Sequence, residues 1–157
     1  MLLFEHRGLY RLVGEVDDAD TLVPLGSADV KRPGADVTVI ATARMVHESL
    51  EAARRLAQEG IDVEVVDPRS LVPLDRDTLA ASVARTHRVV IAEEGPMRGS
   101  TGAWLAWVVM EDSFDELDAP IARVAGPNVP IPFSPPLEAF ATPGAEDVIA
   151  AIRQVLK

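Results

Sequence analysis

Cysteine is absent from the sequence of 157 residues. This absence excludes disulfide bonds, thiolate nucleophiles and metal sites built on sulfur. The chain also lacks an uninterrupted apolar run of the roughly eighteen residues that a membrane-spanning helix needs. Its first residues, Met1–Phe4, are followed directly by the polar group Glu5–Arg7, so we expect no signal peptide and a cytoplasmic location.

Basic residues are scarce as well, with 15 lysines and arginines against 25 aspartates and glutamates and a net charge of −10. Such a surface repels phosphate backbones and anionic lipids, which argues against nucleic acid or a membrane as a partner, and it favours basic proteins. With 48% hydrophobic residues the chain can bury one core, which predicts one domain with an additional arm.

The pattern of apolar residues from Val37 to Asp67 predicts a strand, a helix and a second strand. Val37–Thr42 is β-branched or apolar and carries no charge, which is typical of a strand covered on both faces. A helical stripe follows, and Gly60 provides the left-handed residue that often ends a helix. Ile61–Val66 is the second strand, so the unit is a βαβ crossover with parallel strands.

The rest of the chain repeats this alternation of strands and helices, which predicts an α/β fold. Asp75 is placed to cap the next helix. Five prolines in the segment 126–136 predict extended, polyproline-like coil over the surface. The other predicted elements are a helix from Arg76 to about Arg85, a strand within Arg88–Glu93, a helix from Gly102 to about Phe114, a strand at Ile121–Ala125 and a helix from about Ala145 to Leu156.

Residues 1–35 differ from the rest because glycines and prolines interrupt every periodic run. We therefore predict an interdomain linker or arm over 1–35 and a domain over 36–157. Asp17–Asp20 predicts a solvated acidic turn, and Leu22–Leu25 and Ala28–Val30 are candidate short edge strands. The apolar residues of the arm need a surface to cover, for which a neighbouring domain is the natural candidate: Leu2, Leu3, Phe4, Leu9, Tyr10 and Leu12.

The stretch from Glu93 to Gly102 is the most site-like part of the chain, because open α/β sheets bind ligands beyond the carboxyl ends of their strands. Gly99 and Gly102 at a helix start could present free amides to a nucleotide or phosphate. Glu93 and Glu94 would repel such an anion, however, and the full dinucleotide fingerprint is missing. The other interpretation is that the glycines let a helix pack closely against a sheet or a twofold mate.

The remaining polar residues do not combine into a catalytic or metal site. The histidines His6, His47 and His87 lack carboxylates at ligand spacing, and we interpret His47 as a satisfied interface or core imidazole. Ser100 and Ser134 lack the context of a nucleophile elbow. The carboxylates after the helix predicted over 102–114 are typical of a solvated helix end: Asp112, Asp115, Glu116 and Asp118. We therefore predict no catalytic, cofactor-binding or metal-binding residue.

Trp104 and Trp107 lie three residues apart on a helix that is apolar on nearly every side. Such a helix is either central in the domain or uses one face as an oligomer interface, where tryptophan is enriched. We favour the interface, because the helices of a layered α/β domain lie on its outside.

Seven motifs occur in order along nearly the whole chain: F-E-H-R-G-L-Y (4–10), V-P-L-G-S-A-D-V (23–30), the run 37–47, V-V-D-P-R-S-L-V-P-L-D (65–75), V-V-I-A-E-E-G-P (89–96), L-D-A-P-I-A-R-V-A-G (117–126) and V-P-I-P-F-S-P-P-L-E (129–138). Taken together, they resemble the C-terminal half of one kind of subunit. It is the beta subunit of the thiamine-diphosphate-dependent decarboxylating component of 2-oxo acid dehydrogenase complexes, of the pyruvate, branched-chain 2-oxo acid and acetoin types.

The resemblance implies a domain of the transketolase C-terminal type, a three-layer α/β/α sandwich with a mostly parallel five-stranded sheet and one antiparallel edge strand. It implies a holoenzyme that oxidatively decarboxylates a 2-oxo acid and transfers the acyl group to lipoyl groups. Thiamine diphosphate and magnesium would lie between the alpha subunit and the beta subunit's other domain. We therefore expect none of their ligands in this chain and no activity of this chain alone.

The same resemblance implies a role in assembly. The domain would build the beta–beta contact in a tetramer of two alpha and two beta subunits, and it would receive the basic subunit-binding domain of the dihydrolipoyl transacylase core. Asp118 of the L-D-A-P motif and the terminal carboxylate of Lys157 would pair with basic residues of that core. The candidate subunit-interface residues, with Glu94 fixing the loop at the twofold contact, are Glu94, Arg98, Gly99, Gly102, Trp104 and Trp107.

Overall fold

The structure is a computed structural model that describes residues 1–15 and 22–157. Its strands are β1 (Asp29–Arg32), β2 (Val37–Ala41), β3 (Val63–Asp67), β4 (Val89–Pro96) and β5 (Ala122–Gly126). They form one sheet in the order β1-β3-β2-β4-β5, in which β1 is antiparallel to β3 and the other neighbours are parallel. The predicted mostly parallel sheet with one antiparallel edge strand is confirmed.

The described residues contain five α-helices: α1 (Arg44–Leu56), α2 (Arg76–Thr86), α3 (Thr101–Ser113), α4 (Pro135–Ala141) and α5 (Ala145–Val155). Buried side chains of α1 and α5 form one apolar cluster on one face of the sheet. Buried side chains of α2 and α3 form a second cluster on the opposite face. The predicted three-layer sandwich is therefore confirmed.

Strand β2 lies at the centre of the core because helices cover both of its faces. All five of its residues are buried. Val37 and Val39 contribute to the cluster of α1 and α5, whereas Ile40 contributes to the cluster of α2 and α3, as the alternation of side chains along a strand requires. Burial of each such apolar side chain contributes about 1.5–3 kcal/mol. Thr38, the polar residue of the run, is buried with its hydroxyl 2.7 Å from that of Thr86.

The start of α2 is fixed by the side chain of Asp75. Its carboxylate accepts a hydrogen bond from the amide of Thr78 at 3.1 Å, as predicted for a helix cap, and another from the amide of Ala28 at 2.9 Å. These amides, Ala28 first, hold the pKa of Asp75 below its ordinary value. The carboxylate thus stabilises the fold above its unfolded-state pKa, and this contribution is lost as the pH falls through the lower folded-state pKa.

Two predictions outside this framework are wrong. Leu22–Leu25 does not form a strand, so the edge strand is β1 alone, which lies within the segment predicted as an arm. The coil predicted over 126–136 ends early, because Pro135 begins α4. Proline suits the first turn of a helix, where its missing N–H leaves no hydrogen bond unmade. The acidic turn predicted at Asp17–Asp20 lies outside the described residues.

Candidate functional site

The sheet has its topological switch point at the carboxyl ends of β2 and β4. These two strands are neighbours, and the helices that follow them, α1 and α3, lie on opposite faces of the sheet. A crevice of this kind is where open α/β sheets usually bind ligands. Glu93 and Glu94 follow each other at the end of β4, so their side chains point to opposite faces.

The carboxylate of Glu93 is buried at the start of α3. It accepts hydrogen bonds from the hydroxyl of Ser100 at 2.6 Å, from the amide of Gly102 at 2.9 Å and from the guanidinium of Arg123 at 2.7 Å. The same guanidinium donates to the carbonyl oxygen of Met97 at 2.8 Å. The carboxylate therefore supplies the negative charge that a helix start favours, and Arg123 neutralises it.

This arrangement explains why Gly102 is a glycine. A Cβ atom at this position would lie 2.7 Å from the Cδ atom of Glu93 and closer still to its Oε1 atom. The amide of Gly102, a candidate donor to a phosphate from the sequence, already donates to Glu93. The geometry thus supports the interpretation of close packing and argues against a nucleotide or phosphate at Gly99–Gly102.

The carboxylate of Glu94 lies on the other face, near the start of α1. It accepts a hydrogen bond from Nε of Arg44 at 2.8 Å, and its second oxygen lies 2.9 Å from Nε2 of His6. Arg44 also donates to Glu48 at 2.7 Å and to the carbonyl oxygen of Pro143 at 2.9 Å. Burial lowers the pKa of Arg44, but the hydrogen bonds to Glu94 and Glu48 outweigh burial and hold that pKa above its ordinary value.

The switch point therefore satisfies its own charges. A bound diphosphate with magnesium would need free amides and carboxylates, yet Glu93 already bonds to Gly102, and Glu94 already bonds to Arg44. No group of three or more histidine, cysteine, aspartate or glutamate side chains within residues 1–15 and 22–157 could hold a metal ion. The residues at this edge do not fit thiamine diphosphate and its magnesium.

The outer face of α3 carries a stripe of large apolar side chains that reach solvent. Trp104 is 38% exposed, Trp107 56% and Met110 42%, and Phe114, directly after the helix, is 63% exposed. The opposite face packs against the sheet through Leu105, Val108 and Val109. A central position for α3 is therefore wrong, and the interface interpretation of its outer face stays a prediction. No helix in the described part of the chain is long and apolar enough to cross a bilayer.

Asp118 lies beside this stripe, in an open groove whose lining also includes Trp107, Phe114 and Asp115. Its amide donates to the carbonyl oxygen of His87 at 2.9 Å, which fixes the backbone at the end of α2. Its carboxylate is 59% exposed and lies 3.6 Å from a guanidinium nitrogen of Arg88. Such a loose surface pair contributes little, so the carboxylate stays open to a stronger partner.

The other predicted residues lie in exposed positions. Arg98 and Gly99 are in the loop between β4 and α3, where the amide of Arg98 donates to the side-chain oxygen of Asn128 at 2.9 Å. Gly99 has φ +69°, which favours glycine. Lys157 is exposed after α5. His47 is exposed on α1, so its interpretation as a core imidazole is wrong, and the interface interpretation stays a prediction.

Comparison with known proteins fits this architecture. Residues 26–148 match the family model described as transketolase, C-terminal domain. The chain belongs to this family. A solved structure of a split-gene transketolase, described as an inactive beta4 tetramer, superposes on this transketolase C-terminal domain with a TM-score of 0.76. The sequence identity is 36%, and the match covers 92% of this chain and 46% of that chain.

Curated relatives confirm the resemblance to beta subunits. The beta subunit of acetoin:2,6-dichlorophenolindophenol oxidoreductase from Bacillus subtilis is 41% identical over 156 residues, which are 99% of this chain and 46% of that protein. The mitochondrial pyruvate dehydrogenase E1 component subunit beta from Drosophila melanogaster is 45% identical over 148 residues, which are 94% of this chain and 40% of that protein. This transketolase C-terminal domain thus spans about half the length of the curated relatives it matches.

Two arginines of the switch point, Arg44 and Arg123, were not identified from the sequence of this transketolase C-terminal domain. Arg123 did carry a signal, because a charged residue inside a predicted sheet strand needs a partner of opposite charge wherever it is buried. Arg44 carried none, because an arginine at the start of an amphipathic helix is usually solvated.

Proposed function

We propose that this chain is the C-terminal assembly domain of the beta subunit of a thiamine-diphosphate-dependent 2-oxo acid dehydrogenase. The holoenzyme would oxidatively decarboxylate a 2-oxo acid of the pyruvate or branched-chain type and transfer the acyl group to lipoyl groups in the cytoplasm. The observation that carries the proposal is the contrast between two places in the domain. At the switch point, the carboxylates of Glu93 and Glu94 are bound by groups of the domain itself. On the outer face of α3, by contrast, Trp104 and Trp107 are exposed.

Chemistry in such a holoenzyme would take place outside this chain. Thiamine diphosphate supplies the carbanion stabilisation that decarboxylation of a 2-oxo acid requires. We expect it and its magnesium to be held by the alpha subunit and by the other half of the beta subunit. This chain alone is accordingly expected to be inactive. Turnover of a 2-oxo acid by the isolated chain would contradict the proposal.

The outer face of α3, together with the loop that carries Arg98 and Gly99, would form the beta–beta contact. Two of its side chains, Trp104 and Trp107, are aromatic, as is Phe114 directly after the helix, and aromatic side chains are enriched in protein interfaces. The relative described as a beta4 tetramer supports this proposal, because its beta chains associate with one another.

Replacing Trp107 by serine is expected to weaken this contact by about 2 kcal/mol or more, since an interface tryptophan in a desolvated contact often contributes that much. Sedimentation velocity of the complex with the alpha subunit should show particles of half the wild-type mass. Phe133→Ser is the matched control, because Phe133 is 101% exposed but lies outside α3. An unchanged sedimentation coefficient for Trp107→Ser would remove α3 from the contact.

Asp118 and the terminal carboxylate of Lys157 would receive the basic subunit-binding domain of the dihydrolipoyl transacylase core. Asp118→Ala is expected to weaken that binding by about 1–3 kcal/mol, because a hydrogen bond to a charged group is lost. Titration calorimetry at two salt concentrations measures the effect, which should shrink at high salt. Asp77→Ala, an exposed carboxylate in the first turn of α2, is the control. Equal affinity for wild type and Asp118→Ala would exclude Asp118 from the docking site.

A further inference from the structure

We propose that His6 docks the amino-terminal arm, defined here as residues 1–15, onto the switch point of the sheet through a neutral imidazole that donates from Nε2 to Glu94. This inference goes beyond the proposed function, which concerns α3 and Asp118. It rests on the contacts of both ring nitrogens of His6.

The protonation of the ring follows from its partners. The amide of Gly8 lies 3.1 Å from Nδ1 of His6, and a backbone amide can only donate. Nδ1 therefore carries a lone pair, and the single ring proton of the neutral imidazole is on Nε2. That nitrogen lies 2.9 Å from Oε2 of Glu94, which can only accept while it is ionised. The two contacts together assign the Nε2–H tautomer.

The arm has little else to hold it. Its apolar side chains at Leu2, Leu3 and Phe4 are each more than 80% exposed, and neither apolar cluster includes a residue of the arm. Among residues 1–15 and 22–157, the hydrogen bonds and ion pairs of the arm are internal apart from the one between His6 and Glu94. Among the polar contacts of the described residues, the one between His6 and Glu94 therefore links the arm to the domain.

The acceptor of this bond is rigidly placed. Arg44 donates to Oε1 of Glu94, the oxygen that does not face His6, and it also donates to Glu48 and to the carbonyl oxygen of Pro143. Glu48 in turn accepts a hydrogen bond from the amide of Ala145 at 3.0 Å, at the start of α5. The receiving carboxylate is therefore held by α1, β4 and the segment before α5, and the arm is docked over the carboxyl ends of β2 and β4.

Two substitutions separate the two roles of His6. His6→Asn keeps an oxygen that can accept from the amide of Gly8, because asparagine is a good cap, but its side chain is too short to reach Glu94. His6→Gln has a longer side chain whose amide can donate to Glu94. Hydrogen exchange of the amides of Leu9 and Leu12, which bond within the arm, reports whether the arm stays ordered.

His6→Asn is expected to raise exchange at Leu9 and Leu12 by about tenfold, as loss of a charge-assisted hydrogen bond implies, and His6→Gln by much less. Glu94→Gln alone should raise exchange at Leu9 and Leu12 by a similar factor. The double variant His6→Asn/Glu94→Gln should exchange no faster than His6→Asn alone. Amides of β2 should be unaffected in every variant. The proposal is overturned if His6→Asn leaves exchange unchanged or if the effects of His6→Asn and Glu94→Gln add in the double variant. It is also overturned if nitrogen-15 spectra of the wild type find the ring proton on Nδ1.

Discussion

Gly34→Ala is expected to destabilise the domain by about 3 kcal/mol or more, because it forces an atom into a space that the backbone of β3 already fills. Gly34 is buried in the turn between β1 and β2. A Cβ atom there would lie 2.7 Å from the carbonyl oxygen of Val63 and closer still to the amide nitrogen of Glu64. The ladders to β1 and β2 hold these atoms, so β3 cannot move without separating a strand pair.

Two other glycines provide controls that distinguish the cost of a steric clash from the cost of a strained backbone conformation. At Gly14 an added Cβ meets nothing within 4 Å and φ is not positive, so Gly14→Ala should change stability by less than about 0.5 kcal/mol. Gly60 is also open but has φ +80°, so Gly60→Ala should cost about 1–2 kcal/mol from strain alone. Urea unfolding measures all three variants. A cost for Gly34→Ala no greater than that for Gly60→Ala would contradict the packing argument.

Local patterns in the sequence predict most of the elements of this fold. The uncharged run at Val37–Ala41 is β2, and Gly60 takes the left-handed conformation after α1 that the pattern required. Val148, Ile149, Ile152 and Val155 are buried along α5 as its helical spacing indicates. These signals work because burial of one face depends on the period of the chain. The order of strands cannot be predicted from this period, since it depends on which faces pack together.

Helix α4 shows how one signal can have two meanings. Five prolines within 126–136 indicate extended coil, and three of them, Pro127, Pro130 and Pro132, do lie in coil before α4. Pro135 and Pro136 occupy the first turn of α4, where a fixed φ suits the helix and no amide donor is needed. The sequence pattern cannot separate the last residue of a coil from the first turn of a helix when proline fits both.

The polar contacts of the switch point could be predicted only in part. The pair Glu93 and Glu94 predicts that an anion is disfavoured there, but the sequence does not identify their partners, which lie far away along the chain. Arg123 is 30 residues from Glu93, and Arg44 is 50 residues from Glu94. Such pairs arise from strand order, which the local pattern does not encode. An exposed outer face of α3 was the favoured of two predicted positions, and the central position stayed open because tryptophan spacing identifies a face of the helix and not what covers it.

Glu93→Ala is expected to destabilise the domain by about 3–5 kcal/mol, because removal of one member of a buried ion pair leaves the other uncompensated. The side chain of Glu93 is 7% exposed and that of Arg123 is 17% exposed. Without the carboxylate, the hydroxyl of Ser100 and the amide of Gly102 lose this acceptor, and Arg123 keeps its bond to Met97 but loses the negative charge that neutralises it. Glu93→Gln should also be destabilising, because its amide group must face one of these donors. Urea unfolding measures both variants.

The neighbouring carboxylate provides the control, and a small anion provides the sharper test. Glu94→Ala should cost about 1 kcal/mol or less, since Glu94 is 21% exposed and Arg44 keeps its bonds to Glu48 and Pro143. Acetate can occupy the space that Glu93→Ala opens, so the stability of that variant should rise with the logarithm of the acetate concentration once the site begins to fill, and wild type should be unaffected. Equal costs for the two alanine variants, or the same response to acetate in both, would show that Glu93 does not serve as the internal anion of α3.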